Sequence, residues 1–285
     1  MPIERMVSPF LLPRGVLSQT RAGLGIRFGA GFGILVLSCS LSSCRSSGND
    51  GGPADSAGTD EAAAPVHNVL SQEEVAAGWQ LLFDGVSTAG WRGYNKEAFP
   101  EAGWGVADGN LIVMASDGSE EGLGGDIVSE AIFSDFELTF EFLLTPVGNS
   151  GVFYRVVEDP DEPLWTVAPE YQVLDDTAYI DMGTMDMNTH LTGDNYDLQS
   201  SVVTASRPIG EWNQARILVD GTHVEHWLNG QKTVEYEFFS PEWEALVAKS
   251  KFAPYPDYGR AMEGRIAIQD HGHEIRYRNI KIRPF

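Results

Sequence analysis

The sequence predicts an all-β fold, an antiparallel sandwich or jelly roll of two sheets with a few short helices. Three observations lead there. Segments that alternate apolar and polar residues recur at intervals of about ten residues. Asp-Gly and Asn-Gly dipeptides, the strongest short-range hairpin signals, separate several of them. Glycine (31) and proline (15) are plentiful, and no long stretch keeps apolar residues at helical spacing.

The N-terminal part carries an address rather than a fold. After Arg14, Arg21 and Arg27 comes an apolar run over 28–41, of about 14 residues, the size of a signal-peptide core and too short to span a bilayer. Leu41-Ser42-Ser43-Cys44 then resembles the lipobox of bacterial lipoproteins, in which the cysteine is lipidated. The expected organisation is a lipoprotein signal peptide over 1–43, a flexible linker over 44–70 and a single domain over 71–285. The linker is rich in Ser, Gly, Asp and Ala, without apolar period. The expected location is the bacterial cell envelope, periplasmic or outer-membrane anchored, with the membrane reached through the lipid alone.

The domain opens on Ser71-Gln72-Glu73-Glu74, a capping box that starts a short helix ended by Gly78. A strand is expected over 79–83, a hairpin over 106–114 with Asp108-Gly109 at its turn, and another strand over 126–128. In 136–144, Phe136, Leu138, Phe140 and Phe142 point one way and Glu137, Thr139 and Glu141 the other, the mark of a half-buried strand. Gly148 and Gly151 lead into a second strand at 152–156. Residues 169–176 alternate, with Glu170, Gln172 and Leu174 on one face. The stretch 179–201 has no period and is read as a loop that covers a site. Three strands over 212–238 are joined by Asp220-Gly221 and Asn229-Gly230. Ser240-Pro241 begins a capped helix, and strands at 264–269 and 274–282 close the chain.

Charge and cysteine content exclude several functions. A net charge of −22 suits neither nucleic acid nor an anionic membrane surface, both of which need clustered Lys and Arg. Both cysteines, Cys39 and Cys44, precede the domain, so it holds no disulfide, thiolate nucleophile or cysteine metal site. Signatures of serine hydrolases, nucleotide-binding loops and zinc proteases are missing. His223 and His226 lie three apart in a strand and face opposite sides, which points to surface roles. In Gln269-Asp270-His271-Gly272-His273, the trio Asp270, His271 and His273 is a candidate for a divalent metal or for acid–base work, with a plain polar turn as the alternative. Glu137, Glu141 and Glu170 are candidates for the paired carboxylates of a glycosidase, or form a solvated acidic face. Most of the seven tryptophans are expected in the core.

Taken in order, LFDG (82–85), SDFEL (134–138), GNSGVFYR (148–155), PEYQVLDD (169–176), NYDL (195–198), GEWNQARI (210–217), VEHWLNGQK (224–232), SKF (250–252), QDHG (269–272) and RNIKIRP (278–284) resemble the 3-keto-disaccharide hydrolase family. The resemblance covers 78–285 and implies a concanavalin A-like jelly roll that cleaves 3-keto-glycosides by elimination and hydration. Carried onto this chain, it implies Glu170 and His271 as acid and base, with Glu141 as a third candidate. It also implies Asn149, Arg155 and Lys251 as groups that position the oxidised sugar, and Gln172, Asp175, Tyr196, Gln269 and Asp270 as site-lining residues. The stretch DMNTHLTGD (186–194) departs from the family pattern and leaves the part of His190 open. Two rival readings are a non-catalytic carbohydrate-binding module and a two-carboxylate glycosidase.

Overall fold

The computed structural model describes residues 66–116, 122–183 and 187–285. The expected signal peptide, Cys44 and most of the linker lie outside the described residues. Helix α1 (Gln72–Ala76) has the predicted capping box, Ser71 and Glu74 each bonding the other's backbone N–H. After it come β1 (Gln80–Leu81), β2 (Trp91–Gly93), β3 (Trp104–Ala107), β4 (Asn110–Val113), β5 (Ile127–Ser129), β6 (Phe136–Leu144), β7 (Asn149–Val156) and β8 (Glu170–Leu174). The second half holds α2 (Asp176–Met182), β9 (Trp212–Asp220), β10 (His223–Leu228), β11 (Gln231–Glu237), α3 (Pro241–Val247), β12 (Arg265–Ile268) and β13 (Ile275–Pro284).

These strands make two antiparallel sheets. The larger runs β11-β10-β9-β6-β13-β4-β3, with β1 also paired to β13; the smaller runs β2-β5-β12-β7-β8. The strict alternation of β6 is what allows this. Phe136, Leu138, Phe140, Phe142 and Leu144 are buried in the core while the residues between them stay half-exposed. Across the core, the Phe140 ring meets Tyr171 of β8 edge-on at 5.6 Å, and the Tyr277 hydroxyl bonds Ser150 Oγ at 2.8 Å. Phe140→Ala would remove contacts to both sheets, at a cost of about 3–5 kcal/mol.

The smaller sheet is covered on both faces, and this positions the site. Its inner face joins the main core through Val152, Tyr154, Tyr171, Ile266 and Ile268. Part of its outer face carries a separate apolar cluster of Val128, Phe153, Val156, Leu164, Ala168 and Ala267. The rest of that outer face is polar. The exposed edge of β8 is closed by the loop after α2: Gly193 N–H donates to Gln172, Gln172 N–H to Asp194, and Tyr196 N–H to Glu170, all backbone to backbone. An unpaired edge would otherwise invite other strands.

Several expectations change. Residues 91–93 form a strand that the sequence reading did not assign, and 176–182 form a helix whose sequence shows no apolar period. Asn68, placed in the linker by the sequence, is buried. It exchanges hydrogen bonds with Asn279 and so belongs to the folded domain. His226 does not lie at the surface. It is buried in the core, with its Nε2 2.8 Å from the Tyr154 hydroxyl.

Candidate active site

On the outer face of the smaller sheet lies a cavity of about 150 Å³ lined by Asn149, Trp165, Glu170, Gln172, Tyr196, Lys251, Gln269 and His271. The sheet register builds its floor. Gly151 pairs with Gln172, and Phe153 with Glu170. Ile268 pairs with both Val152 and Ile127, so one residue further along, Gln269 stands between Gly151 and Asp126. The row Asp126–Gln269–Gly151–Gln172 thus crosses four strands, with Glu170 two residues from Gln172 on the same face. Gly151 matters because it has no side chain: a Cβ there would lie 1.9 Å from Glu170 Oε1. The Glu170 side chain occupies that space.

Glu170 is 3% exposed. Burial pushes its carboxyl up to about 8, the Lys251 cation opposing the rise and Asp126 adding to it. Burial also holds the Lys251 ammonium down, while Glu170 and Asp197 favour its charge. The ammonium sits 4.1 Å from the Tyr196 ring centre and 4.7 Å from that of Trp165, an arrangement in which aromatic faces hold a cation. Asp197 fixes the lysine backbone by accepting its N–H at 2.8 Å. Gln172 Nε2 reaches Asn149 Oδ1 at 3.5 Å, and Gln172 Oε1 is buried with no partner among the described residues. A buried acceptor left open in a cavity is a place for a ligand donor. His271 completes the wall, its ring stacked with His273 at 6.0 Å.

Seven of the residues singled out from the sequence therefore meet here: Glu170, His271, Asn149, Gln172, Tyr196, Lys251 and Gln269. Four others stand elsewhere. Glu141 is on the larger sheet, where it pairs with Arg278 at 2.7 Å and accepts from Asn279. Arg155 has φ +55, which turns its side chain out of the strand's alternation. Its guanidinium is buried against the backbone carbonyls of Ser134 and Gly221. Asp175 is the N-cap of α2 and also accepts the Val147 N–H, so it shapes the turn before Asn149. Asp270 accepts from the N–H groups of Gly124 and Gly272. It ties a glycine-rich loop to the turn that carries His271, and a Cβ at Gly122 would collide with its carboxylate.

Of the alternatives left open for Asp270, His271 and His273, the polar turn fits this geometry better than a metal site, because the Asp270 carboxylate accepts from two backbone N–H groups. Among the described residues, the group spaced to hold a cation is instead His223, Glu225 and Glu235 on the larger sheet. His190 packs behind the cavity, edge-on to Tyr196 at 4.5 Å and 3.4 Å from Asp197. One residue of the cavity wall was missed, and one that acts on Glu170 from outside the wall. Trp165 was set aside with the core tryptophans, although its place five residues before Glu170, in a proline-bounded loop, was a usable signal. Asp126 was read as a strand residue alone.

Comparison with known proteins bears on the family and the fold. Residues 78–283 match the domain described as 3-keto-alpha-glucoside-1,2-lyase-like. The chain is 35% identical over 229 residues to a 3-keto-disaccharide hydrolase of Bacteroides thetaiotaomicron, covering 73% of this chain and 79% of the relative. A crystal structure from Parabacteroides distasonis, assigned as a candidate glycosyl hydrolase, superposes with a TM-score of 0.69 at 32% identity, over 77% of this chain and all of the other. A second from that organism, assigned likewise, gives a TM-score of 0.54 at 26% identity, covering 73% and 99% of the two chains.

Proposed function

The chain belongs to the 3-keto-alpha-glucoside-1,2-lyase-like family, and on that premise we propose that it cleaves 3-keto-glycosides by base-assisted elimination followed by hydration. A ketone at C3 makes the C2 proton acidic, because the electron pair left behind spreads onto the ketone oxygen as an enolate. Glu170 takes that proton, and the Lys251 ammonium stabilises the enolate oxygen. The enolate then collapses to the ketone, a C1=C2 double bond forms, and the bond from C1 to the glycosidic oxygen breaks. His271 supplies the proton that the leaving oxygen needs. The products are an alcohol and a 3-keto-2-hydroxyglucal. Water adding its hydroxyl to C1 and a proton to C2 completes a net hydrolysis. Asn149, Gln172 and Gln269 offer amides to the sugar hydroxyls.

One observation carries this reading. The buried carboxyl of the cavity, Glu170, is accompanied by a cation and an imidazole, not by a second carboxyl. A glycosidase working through an oxocarbenium ion needs two carboxyls, one on each side of the bond. Among the described residues that line the cavity, Glu170 is the only one, and Glu141 stands on the other sheet. A cavity carboxyl held above its ordinary value by burial is found more often in catalytic sites than in plain binding modules.

The test is to incubate the domain with a 3-keto-glucoside and with the same glucoside unoxidised. Turnover of the keto sugar alone, lost in Glu170→Gln and retained in Glu141→Gln, is expected. Equal cleavage of both sugars would overturn the proposal in favour of a conventional glycosidase, and binding without turnover in favour of a lectin. We also propose that the protein resides in the bacterial cell envelope, held by a lipid on Cys44. Labelling of living cells with radioactive palmitate should mark the wild type and not Cys44→Ser, and equal labelling of both would refute the anchor.

A further inference from the structure

The outer face of the larger sheet holds a second cleft, and we propose that it binds a neutral saccharide ring, independently of the reaction proposed for the other sheet. It measures about 210 Å³ and is bounded by Glu74, Trp79, Thr139, Glu141, Gln214 and Lys281, with Asn279 at its edge.

The register of three central strands makes the floor. Arg278 pairs with Glu141 and Glu141 with Gln214; one step along the same face, Lys281 pairs with Thr139 and Thr139 with Arg216. Thr139 is the one short side chain among these long ones, so the floor has a hollow at its centre. A break in the pairing of β13 between Arg278 and Lys281 widens it. Asn279 takes φ +49 there, and the bulge aims its amide at Glu141 Oε1, 3.0 Å away. Bulges re-aim side chains in this way beside binding sites. Trp79, half-buried just after α1, supplies an apolar wall.

The charges in the cleft are already matched, which decides the class of ligand. Glu141 is paired with Arg278 and Glu74 with Lys281, each at 2.7 Å. An anion would face Glu141 and Glu74, and a cation would face Lys281 and Arg278. An apolar ligand would strand the polar floor out of water. The Thr139 hydroxyl and the Gln214 amide reach into the cleft with no protein partner among the described residues. A ligand of zero charge with hydroxyls on its rim and a C–H face for Trp79 fits all of these groups, and a pyranose has that form.

The test uses the full chain carrying Glu170→Gln, so that turnover does not intrude. Glucose, maltose, cellobiose and trehalose are titrated up to about 10 mM, past the millimolar range of weak single-site binding, with calorimetry and tryptophan fluorescence as readouts. At least one sugar should bind saturably. Its affinity should fall at least tenfold when Trp79→Ala is added and again in a Thr139→Val, Gln214→Ala double variant, and it should be unchanged by Lys251→Met. The double variant alters two side chains that make no hydrogen bond among the described residues, so it keeps the test open if Trp79→Ala does not fold. Absence of saturable binding to all four sugars would overturn the proposal. So would binding that Lys251→Met weakens and the cleft variants leave intact, which would place the sugar in the cavity on the smaller sheet. Turnover of keto sugars is measured separately, so failure of either proposal leaves the other standing.

Discussion

Glu170 and Gly151 are diagonal neighbours on adjacent strands of the smaller sheet, the carboxylate lying in the space that a side chain at 151 would fill. A Cβ at 151 would come within 1.9 Å of Oε1, so Gly151→Ala must swing the carboxylate aside. The backbone there needs no left-handed angle, so the fold should hold. Misplacing a catalytic group by about 1 Å costs on the order of 100-fold in rate. Gly151→Ala is therefore expected to lose about that much kcat/KM on a 3-keto-glucoside, with its melting temperature little changed. Unaltered turnover would show that the carboxylate's position over Gly151 is immaterial.

A second prediction follows from burying Glu170. Its carboxyl titrates near 4.5 in the unfolded chain and at about 8 in the folded one. Below the lower value both states hold the proton, and above the higher value neither does. Between them the folded state binds more protons, so its stability is fullest below the lower value and falls as pH rises towards the higher. Glu170→Gln keeps the shape and removes the titration. Relative to wild type, the variant should gain stability between pH 5 and pH 8.5, by a few kcal/mol and several degrees in Tm. Asp126 and Asp194 are likewise held up, to about 7, and both remain in the variant, so the difference reports Glu170 together with its coupling to Lys251 and Asp126. Parallel Tm curves across that range by scanning calorimetry would contradict it.

How far the site was legible depended on local packing. β6 is buried on one face alone, so its alternation told which side chains enter the core. It could not tell on which sheet the polar side would lie, and Glu141 was therefore grouped with Glu170. β8 is buried throughout, so Glu170 and Gln172 were readable as neighbours while the covering of their face was not. That covering comes from Trp165, Tyr196 and Lys251, distant in sequence and held by loops without any period. Arg155 misled because a regular strand would have carried it to the same face as Asn149 and Gly151. A positive φ at one residue undid that. Asp175 and Asp270 were read as ligand-facing because carboxylates that bond backbone N–H groups look the same in sequence as those that bond a substrate. His226 was placed outside because its spacing from His223 ruled out a shared metal and showed no partner for its ring. Here the Tyr154 hydroxyl and the Gly193 carbonyl satisfy its ring in the core.

Lys251 and Asp126 push the Glu170 carboxyl in opposite directions, so their variants should move its titration in opposite directions. The lysine cation favours the ionised carboxylate, whereas Asp126 disfavours it. If Glu170 is the base, kcat/KM rises with pH as the carboxyl loses its proton. Lys251→Met should shift that rise to higher pH. It should also lower the plateau by about 100- to 1000-fold, the usual consequence of removing a donor from a developing oxyanion. Asp126→Asn should shift the rise to lower pH. Asp126 does not line the cavity, so its plateau should stay near that of wild type. Its effect belongs mainly to the pH range above about 7, where Asp126 itself is ionised. A lysine that only props up the loop would lower activity at every pH and leave the midpoint fixed. Measured pH–rate profiles of the two variants separate these cases: shifts of opposite sign identify Glu170 as the titrating base, and shifts of the same sign, or none, assign the titration to another group.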